Sequence, residues 1–333
     1  MRLLVVLVVF VCSITSLRSQ SSNQKTFNLA ESTSHYSYDE LLDFVDTKLS
    51  DQKDIARFFY YWIGLNIKYD VSVNMAELSQ PHYPRETEPA YIFKTRKATC
   101  MGYNNLYDSF LEYFGIIHKD ILGYTRHSTN VIKNITPVMD HVWSAIYIDD
   151  QWHLVDVTWS VEQIQNPESR DHYFMTPSHI FNNDHLPLDA EWFLDGHEMS
   201  LEDFEKQPLF NPLYYGVTGL SDIPIKKEVN ELGETVLYFP PMNGWRFGLA
   251  AVDKNGNKKV RLKYKMKRVK GAIKFTLKNY EPGMTLRLNA TRKQADGTYA
   301  SIPGLAYLKY PDWQGEKRRP FRQFSTKQDR FKK

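Results

Sequence analysis

The sequence predicts an α+β protein in which a region of mixed helices and strands is followed by an all-β, sandwich-like domain. Apolar residues follow helical spacing through the first third of the chain. Short alternating segments separated by turn residues recur from about Asn211. A hairpin pattern lies between these two regions, near residue 150. At 333 residues the chain is long enough for two folded units.

Three helices are predicted before residue 115. Ser37 and Glu40 form a capping box that starts the first helix, and the second begins near Asp51. The third begins at Cys100, where Thr99 is placed to cap it. The aromatic residues of these segments follow helical spacing, so we assign them to the core.

A β-hairpin is predicted between residues 142 and 159. Both of its arms, 142–148 and 152–159, are rich in β-formers, and Asp149-Asp150 lies between them as a turn. We expect Ile148 to pair with Gln151 across this turn. Further along the chain, the segments 235–239 and 272–277 have the alternation of half-buried strands.

The first residues have the pattern of an export signal. Met1-Arg2 gives a short positive end, and an apolar run from Leu3 to Val11 follows it. This run is too short to cross a bilayer, so the sequence predicts a secreted or periplasmic protein without a transmembrane segment after signal removal. The predicted organisation is a signal peptide at 1–19, a loosely ordered polar leader at 20–35, a first domain at 36–205, a β-sandwich-like domain at 211–312 and a basic tail at 313–333.

The chain contains two cysteines, Cys12 and Cys100. If the signal is removed, Cys100 has no partner for an intrachain disulfide, and the core must be held by packing. A single thiol is either buried and inert or used in chemistry. On cysteine count alone, both interpretations stand.

Cys100, His141 and Asp156 together predict a nucleophilic site. A thiol attacks an acyl carbon as thiolate, which a helix N-terminus and a nearby imidazole favour. With Ile148 opposite Gln151, His141 would face Thr158, and Asp156 would lie one pleat away on the same face. Asp156 would then orient the imidazole and stabilise its charged form. Trp62 is a candidate second oxyanion donor, although it also fits the core face of its helix.

Three segments resemble transglutaminase-like proteins. Residues 95–103, around Cys100, resemble the nucleophile segment, and His141-Val142-Trp143 with residues 151–159 resembles the histidine and aspartate segments. Downstream, Tyr173-Phe174, His185-Leu186-Pro187 and Trp192 are similar to the kyphoscoliosis-peptidase branch. The resemblance covers roughly residues 55–195, and the three segments in this order are specific.

The resemblance implies a papain-like core with Cys-His-Asp chemistry at Cys100, His141 and Asp156. His172, His179 and His185 lack the close spacing of common zinc motifs, so we interpret them as structural or surface residues and expect no metal or cofactor. Cys100 would form a thioester with a protein or peptide substrate. Water would resolve it in a peptidase or deamidase, and an amine in a cross-linking enzyme. One departure is Ala98-Thr99, where relatives often have glycine followed by an aliphatic residue. The alternative is a catalytically silent fold that serves as a secreted binding or scaffold module.

The charge of the chain is unevenly distributed. The net charge is only +3, but the C-terminal third is basic, and cationic residues alternate with apolar ones along 259–267. Such a face is most often simply solvated; the other interpretation is that it binds an anionic surface or polymer. The pattern lacks the interleaved aromatics of a nucleic-acid module, so no nucleic acid is expected as a partner.

Overall fold

The structure is a computed structural model that describes residues 22–72, 85–133, 135–218, 226–253, 259–278, 280 and 283–309. The predicted signal peptide and basic tail lie outside these residues. Within the described ranges, no helix has the length and apolarity needed to cross a membrane.

Helices and mainly antiparallel sheets together confirm the predicted α+β class. The helices are α1 (22–32), α2 (Tyr38–Lys48), α3 (Gln52–Asn66), α4 (Pro89–Thr95), α5 (Cys100–Tyr113), α6 (Ser128–Lys133), α7 (Val157–Gln163), α8 (Ser178–Phe181), α9 (Leu201–Lys206) and α10 (Pro212–Thr218). The strands are β1 (Lys68–Tyr69), β2 (Lys97–Ala98), β3 (His118–Thr125), β4 (Met139–Ile148), β5 (Gln151–Val155), β6 (His185–Pro187), β7 (Leu209–Phe210), β8 (Lys226–Val229), β9 (Thr235–Phe239), β10 (Arg246–Val252), β11 (Lys259–Val260), β12 (Tyr264–Val269), β13 (Ala272–Leu277), β14 (Thr285–Lys293) and β15 (Tyr299–Lys309).

The chain divides into two compact units. The first contains the residues up to Ile121 together with Val142–Thr176, and the second contains Leu122–His141 and the residues from Pro177 onward. The domain bounds predicted from the sequence stay a prediction.

The predicted capping box starts α2, and α3 begins at the predicted position near Asp51. Ser37 and Glu40 form the reciprocal capping box of α2, and the Asp51 side chain caps α3. Helix α3 is almost completely buried and packs against α5 and α7. A Cβ added at Gly64 of α3 would lie 2.8 Å from Ser160 Oγ, so the absence of a side chain there permits close contact with α7.

The prediction of a loose leader at 20–35 is wrong for its described part. Residues 22–32 form α1, in which Phe27 and Ala30 are buried. Asn23 Nδ2 donates to Asp171 Oδ2 at 2.8 Å, and the Arg170 guanidinium lies 3.3 Å from the centre of the Phe27 ring. The apolar residues of α1 thus anchor a mostly polar helix to the first unit.

The predicted hairpin is confirmed in register but not in length. Ile148 pairs with Gln151, and Asp149 and Asp150 both have positive φ, as a tight hairpin turn requires. The second strand ends at Val155, however, and Thr158 lies in α7 rather than opposite His141. The reason is local: a helix cap formed at residue 156 overrides the β-propensity of the following residues.

The C-terminal part of the second unit consists of two antiparallel sheets. Their strand orders are β11-β10-β14-β15-β7 and β12-β13-β9-β8. Strands β9 and β13 have the predicted bounds. Side chains from both sheets share one buried apolar cluster that includes Phe239, Phe275 and Leu288. The sandwich arrangement itself stays a prediction.

Candidate functional site

Cys100 is the first residue of α5 and is 4% exposed. The chain reaches it through β2, which pairs in parallel with β1, so that Asp70 N–H donates to Ala98 O at 2.8 Å. A Cβ added at Gly102, on the first turn of α5, would lie 2.8 Å from Ile92 and 3.1 Å from Ala98 Cβ. The segment before Cys100 therefore packs tightly against the helix that Cys100 begins.

Thr99 occupies the predicted N-cap position, but its side chain does not cap the helix. Its hydroxyl is buried and makes no hydrogen bond within the described part of the chain. The first intrahelical bond runs from Tyr103 N–H to Thr99 O. Helix geometry therefore leaves the first-turn amides without intrahelical acceptors, and the helix dipole favours negative charge at the position of Cys100.

Trp62, the candidate oxyanion donor, lies in the core. Its side chain is fully buried and stacks on Phe93 at 5.1 Å between ring centroids. Its indole N–H is directed at Thr33 O at a distance of 3.4 Å. The core interpretation of this residue therefore accounts for its contacts.

Asp156 directly follows β5 and is fully buried. Its Oδ1 accepts hydrogen bonds from the backbone amides of Thr158 and Trp159, at 2.7 and 2.9 Å, and so caps α7. Its own amide donates to Tyr173 O at 2.9 Å. The carboxylate is thus fixed at a helix N-terminus, which favours its ionised form.

Helices α5 and α7 pack against each other. Cys100 and Asp156 therefore stand at the starts of two neighbouring helices within the first unit. His141, the third residue of β4, is 7% exposed and belongs to the second unit. The assignment of these three residues to one catalytic site stays a prediction.

His185, which sequence reasoning assigned to the structural or surface histidines, is fully buried beside His141. The two ring centroids are 5.7 Å apart, and ring nitrogens of the two residues lie within 4.8 Å of each other. His185 Nδ1 is 2.7 Å from Asp184 Oδ1. This is the arrangement in which a carboxylate fixes an imidazole.

A polar network within the first unit joins α5, which begins at Cys100, to the part of β4 that belongs to this unit. Ser144 Oγ, on β4, lies 2.7 Å from Asn104 Oδ1 and 3.3 Å from Asp108 Oδ1, both on α5. Asn104 Nδ2 donates to Asp120 Oδ1 at 2.5 Å. His118 Nε2 is 3.9 Å from Asp108 Oδ1. The network fixes the rotation of α5 relative to the sheet.

Burial raises the pKa of Asp108 to about 9, and the hydrogen bond and negative charge of Asp120 add to the effect. An unfolded aspartate releases its proton near pH 4, whereas Asp108 keeps it in the folded protein. Between about pH 4 and about pH 9, the folded protein therefore binds more protons than the unfolded chain does. The contribution of Asp108 to the free energy of unfolding falls as pH rises from about 4 to about 9.

Asp108→Asn is expected to raise the stability at pH 8 and to flatten its dependence on pH. Asparagine is neutral at every pH and keeps the size and hydrogen-bonding capacity of the protonated carboxyl. Urea unfolding at a series of pH values measures the effect. Asp46→Asn, the same change at an exposed position of α2, is the control. An Asp108→Asn protein whose stability declines with pH as steeply as wild type would contradict the assignment of the proton to Asp108.

The chain is similar to several known proteins. A family model described as the transglutaminase-like superfamily matches residues 39–157. Human kyphoscoliosis peptidase is 26% identical over 267 residues, which cover 73% of this chain and 40% of that protein. The mouse kyphoscoliosis peptidase is 28% identical over 61% of this chain and 33% of its own length.

A third relative is the Lim and transglutaminase domain protein ltd-1 of Caenorhabditis elegans, 23% identical over 54% of this chain and 26% of that protein. The matched segments thus span less than half the length of each of these relatives. The matched superfamily region contains Cys100, His141 and Asp156 in the predicted order. Residues 39–157 thus match the transglutaminase-like superfamily, and the kyphoscoliosis peptidases are among the relatives of the chain.

Proposed function

We propose that the chain is an exported cysteine enzyme that forms a thioester on an acyl group of a protein or peptide. Cys100 is the nucleophile, His141 the general base and acid, and Asp156 the carboxylate that orients the imidazole. Water resolves the thioester in a peptidase or deamidase, and an amine resolves it in a cross-linking enzyme. The partner in each case is a protein or peptide substrate.

The observation that carries the proposal is the position of Cys100. It is the first residue of a 14-residue helix whose N-cap side chain makes no capping bond. A thiolate formed there would be stabilised by the helix dipole and by first-turn amides, which also suit a developing oxyanion. The same segment lies inside the matched superfamily region, so helix geometry and family membership support the same nucleophile.

The hairpin supports the pairing of His141 with Asp156. The last observed pair of the hairpin is Ser144 with Val155. Asp156 directly follows Val155, so continuing the same register puts Asp156 opposite Trp143. Side chains alternate along a strand, and His141 therefore shares the face of Trp143 on β4. This argument replaces the predicted pairing of His141 with Thr158 and keeps the proposed pair on one face.

The proposed reaction is balanced by two transfers. His141 takes the thiol proton as Cys100 Sγ attacks the carbonyl carbon, and the imidazolium then donates that proton to the leaving nitrogen as the C–N bond breaks. In the second half, the imidazole takes a proton from water or an amine, which attacks the thioester, and the imidazolium returns that proton to Cys100 Sγ as the C–S bond breaks. Asp156 stabilises the imidazolium in both halves.

The alternative is a catalytically silent fold that serves as a secreted binding or scaffold module. A specific observation favours it: the Cys100 side chain is almost fully buried, and an inaccessible thiol has no chemistry with a large substrate. The two functions predict different reactivity for the same atom, so one measurement on Cys100 separates them.

We expect Cys100 to react with iodoacetamide faster in the folded protein than in the urea-unfolded chain at the same pH, because the proposed site activates the thiol. Mass spectrometry locates the label and measures the rate. The Cys100→Ala protein is the blank, and His141→Gln is expected to slow labelling at the same pH. Labelling no faster than in the urea-unfolded chain would support the scaffold function.

The reaction class requires a separate assay. The protein is incubated with a protein mixture and a tagged primary amine, and peptides are scored for cleavage, deamidation or amine incorporation. Each product must depend on Cys100. Export is tested by sequencing the N-terminus of the protein recovered from the medium or periplasm, since cleavage near residue 19 is the expected result.

A further inference from the structure

One segment of the second unit contains basic residues without any acidic ones. Between Asp253 and Glu281 the sequence has eleven lysines and arginines and no aspartate or glutamate. Because the whole chain carries only +3, the rest of the chain is net acidic. This segment is therefore a local concentration of positive charge, in addition to the basic tail.

The fold puts this segment at the edges of both C-terminal sheets. Strand β11 is the end strand of one sheet and β12 the end strand of the other, and only residues 261–263 separate them. Nearly all the basic side chains in the described part of the segment are exposed: Lys259, Arg261, Lys263, Lys265, Lys267, Arg268, Lys270 and Lys278. We call these residues, together with the half-exposed Lys274, the basic edge.

Like charges face each other within the basic edge. Lys267 pairs directly with Lys274 on β13, and Lys278 N–H donates to Lys263 O at 2.9 Å, which brings a second lysine pair into register. Directly opposed like charges destabilise an antiparallel pair. The Lys274 ammonium lies 5.5 Å from the centre of the Tyr238 ring, so it has one partner within the protein, and an anion bound between the lysines would relieve the remaining repulsion.

The spacing and direction of the cations indicate a linear polymer. Lys263, Lys265 and Lys267 alternate along the chain and recur about every 7 Å on one face of β12, whereas Arg268 lies on the opposite face. A flat lipid surface would contact one face, but a flexible chain can follow the strand edge and reach both. The Tyr264 hydroxyl accepts from Leu249 N–H at 3.4 Å, which engages this ring within the protein rather than in stacking on bases.

Lysines on an edge strand also have a simpler explanation, because they oppose edge-to-edge aggregation. Protection against aggregation needs only a few charges and does not require lysines in opposed pairs. The basic edge has more charges than this protection needs, and some of its lysines are opposed. We propose that the basic edge is a binding surface for an extended sulfated polysaccharide, laid along β12 with its anionic groups between the opposed lysines.

The test measures the affinity of the full chain for fluorescently labelled heparin as a function of salt. Each cation in contact with a polyanion contributes about 0.7–0.9 to the slope of log affinity against log salt concentration. The Lys265→Gln/Lys267→Gln/Lys270→Gln protein is therefore expected to lose about 2 to 3 from the slope. Its binding at physiological salt is expected to be weaker by more than about tenfold.

Two matched triple variants serve as controls. Lys25→Gln/Lys48→Gln/Lys119→Gln removes the same charge from exposed positions of the first unit, and is expected to bind as wild type does. Lys317→Gln/Arg318→Gln/Arg319→Gln removes it from the C-terminal tail. If the tail variant loses the binding and the basic-edge variant keeps it, the proposal is wrong.

Two further arms test the occupant and the opposed charges. Vesicles of equal parts phosphatidylcholine and phosphatidylserine, and duplex DNA, are expected to bind more weakly than heparin at the same salt. Equal or tighter binding of either would overturn the choice of polysaccharide.

Without polymer, Lys267→Gln is expected to raise the Tm slightly, because it removes a repulsive pair. An unchanged or lower Tm would contradict the argument from like charges.

Discussion

Asp156→Asn is expected to abolish most of the proposed turnover while the fold stays intact. Asparagine Oδ1 can still accept from the Thr158 and Trp159 amides, so the cap of α7 is kept. The amide is neutral, however, and cannot stabilise the imidazolium of His141. In a triad, this loss lowers the rate by roughly 10⁴-fold. The measurement is the Cys100-dependent product formed per unit time, with thermal unfolding in parallel.

Asp156→Ala separates the two roles of the side chain. Alanine removes both the charge and the cap, and it leaves buried amides without their acceptor, so stability is expected to fall by about 1–2 kcal/mol or more. The asparagine variant is therefore the informative one. Turnover within tenfold of wild type in a folded Asp156→Asn protein would show that Asp156 serves as a helix cap and not in catalysis.

The sequence signals were strongest where a local rule determines the structure. The capping box at Ser37, the helix start near Asp51 and the turn at Asp149-Asp150 each depend on residues within a few positions of one another. Such rules depend little on the rest of the fold. The strands β9 and β13 were also predicted, because alternation on a half-buried sheet is a local pattern.

The failures have two different physical causes. The residues after Asp156 have strand propensity, but the carboxylate accepts two amide hydrogen bonds and starts a helix instead. The strand propensity of these residues contributes less free energy than the satisfied cap of the helix does. Helix α1 was missed because most of its residues are polar. The spacing of Thr26, Phe27, Ala30 and Thr33, all buried, was the available signal.

The position of the His185–Asp184 pair beside His141 could not have been predicted from sequence spacing. It arises because β3 pairs with β6 so that Thr125 stands opposite His185, and the two histidines are distant along the chain. Contacts of this kind depend on topology, which no local pattern encodes. The motif around His185 resembled a family segment, but the resemblance alone gave the residue no role.

Arg126 is the fully buried cation of the second unit that organises the residues around this histidine pair. Its guanidinium donates to four backbone carbonyls, those of Asn183, Glu205, Gln207 and Pro208, at 2.7–3.3 Å. Its own amide donates to Asp184 O at 2.9 Å. Burial lowers the pKa of Arg126 to about 10, and the charge of Asp184 limits the decrease, so the side chain stays charged at neutral pH.

Arg126→Met is expected to destabilise the protein by at least about 3 kcal/mol, since it leaves several buried carbonyls without donors. Arg126→Lys keeps the charge but has no planar fork, and is expected to fall between methionine and wild type. Urea unfolding monitored by tryptophan fluorescence measures both variants. Arg246→Met, at an exposed position of β10, is the control and is expected to change stability by less than about 0.5 kcal/mol. An Arg126→Met midpoint equal to that control would mean that water satisfies the carbonyls, and that the guanidinium is dispensable for holding Asp184 and His185 in place.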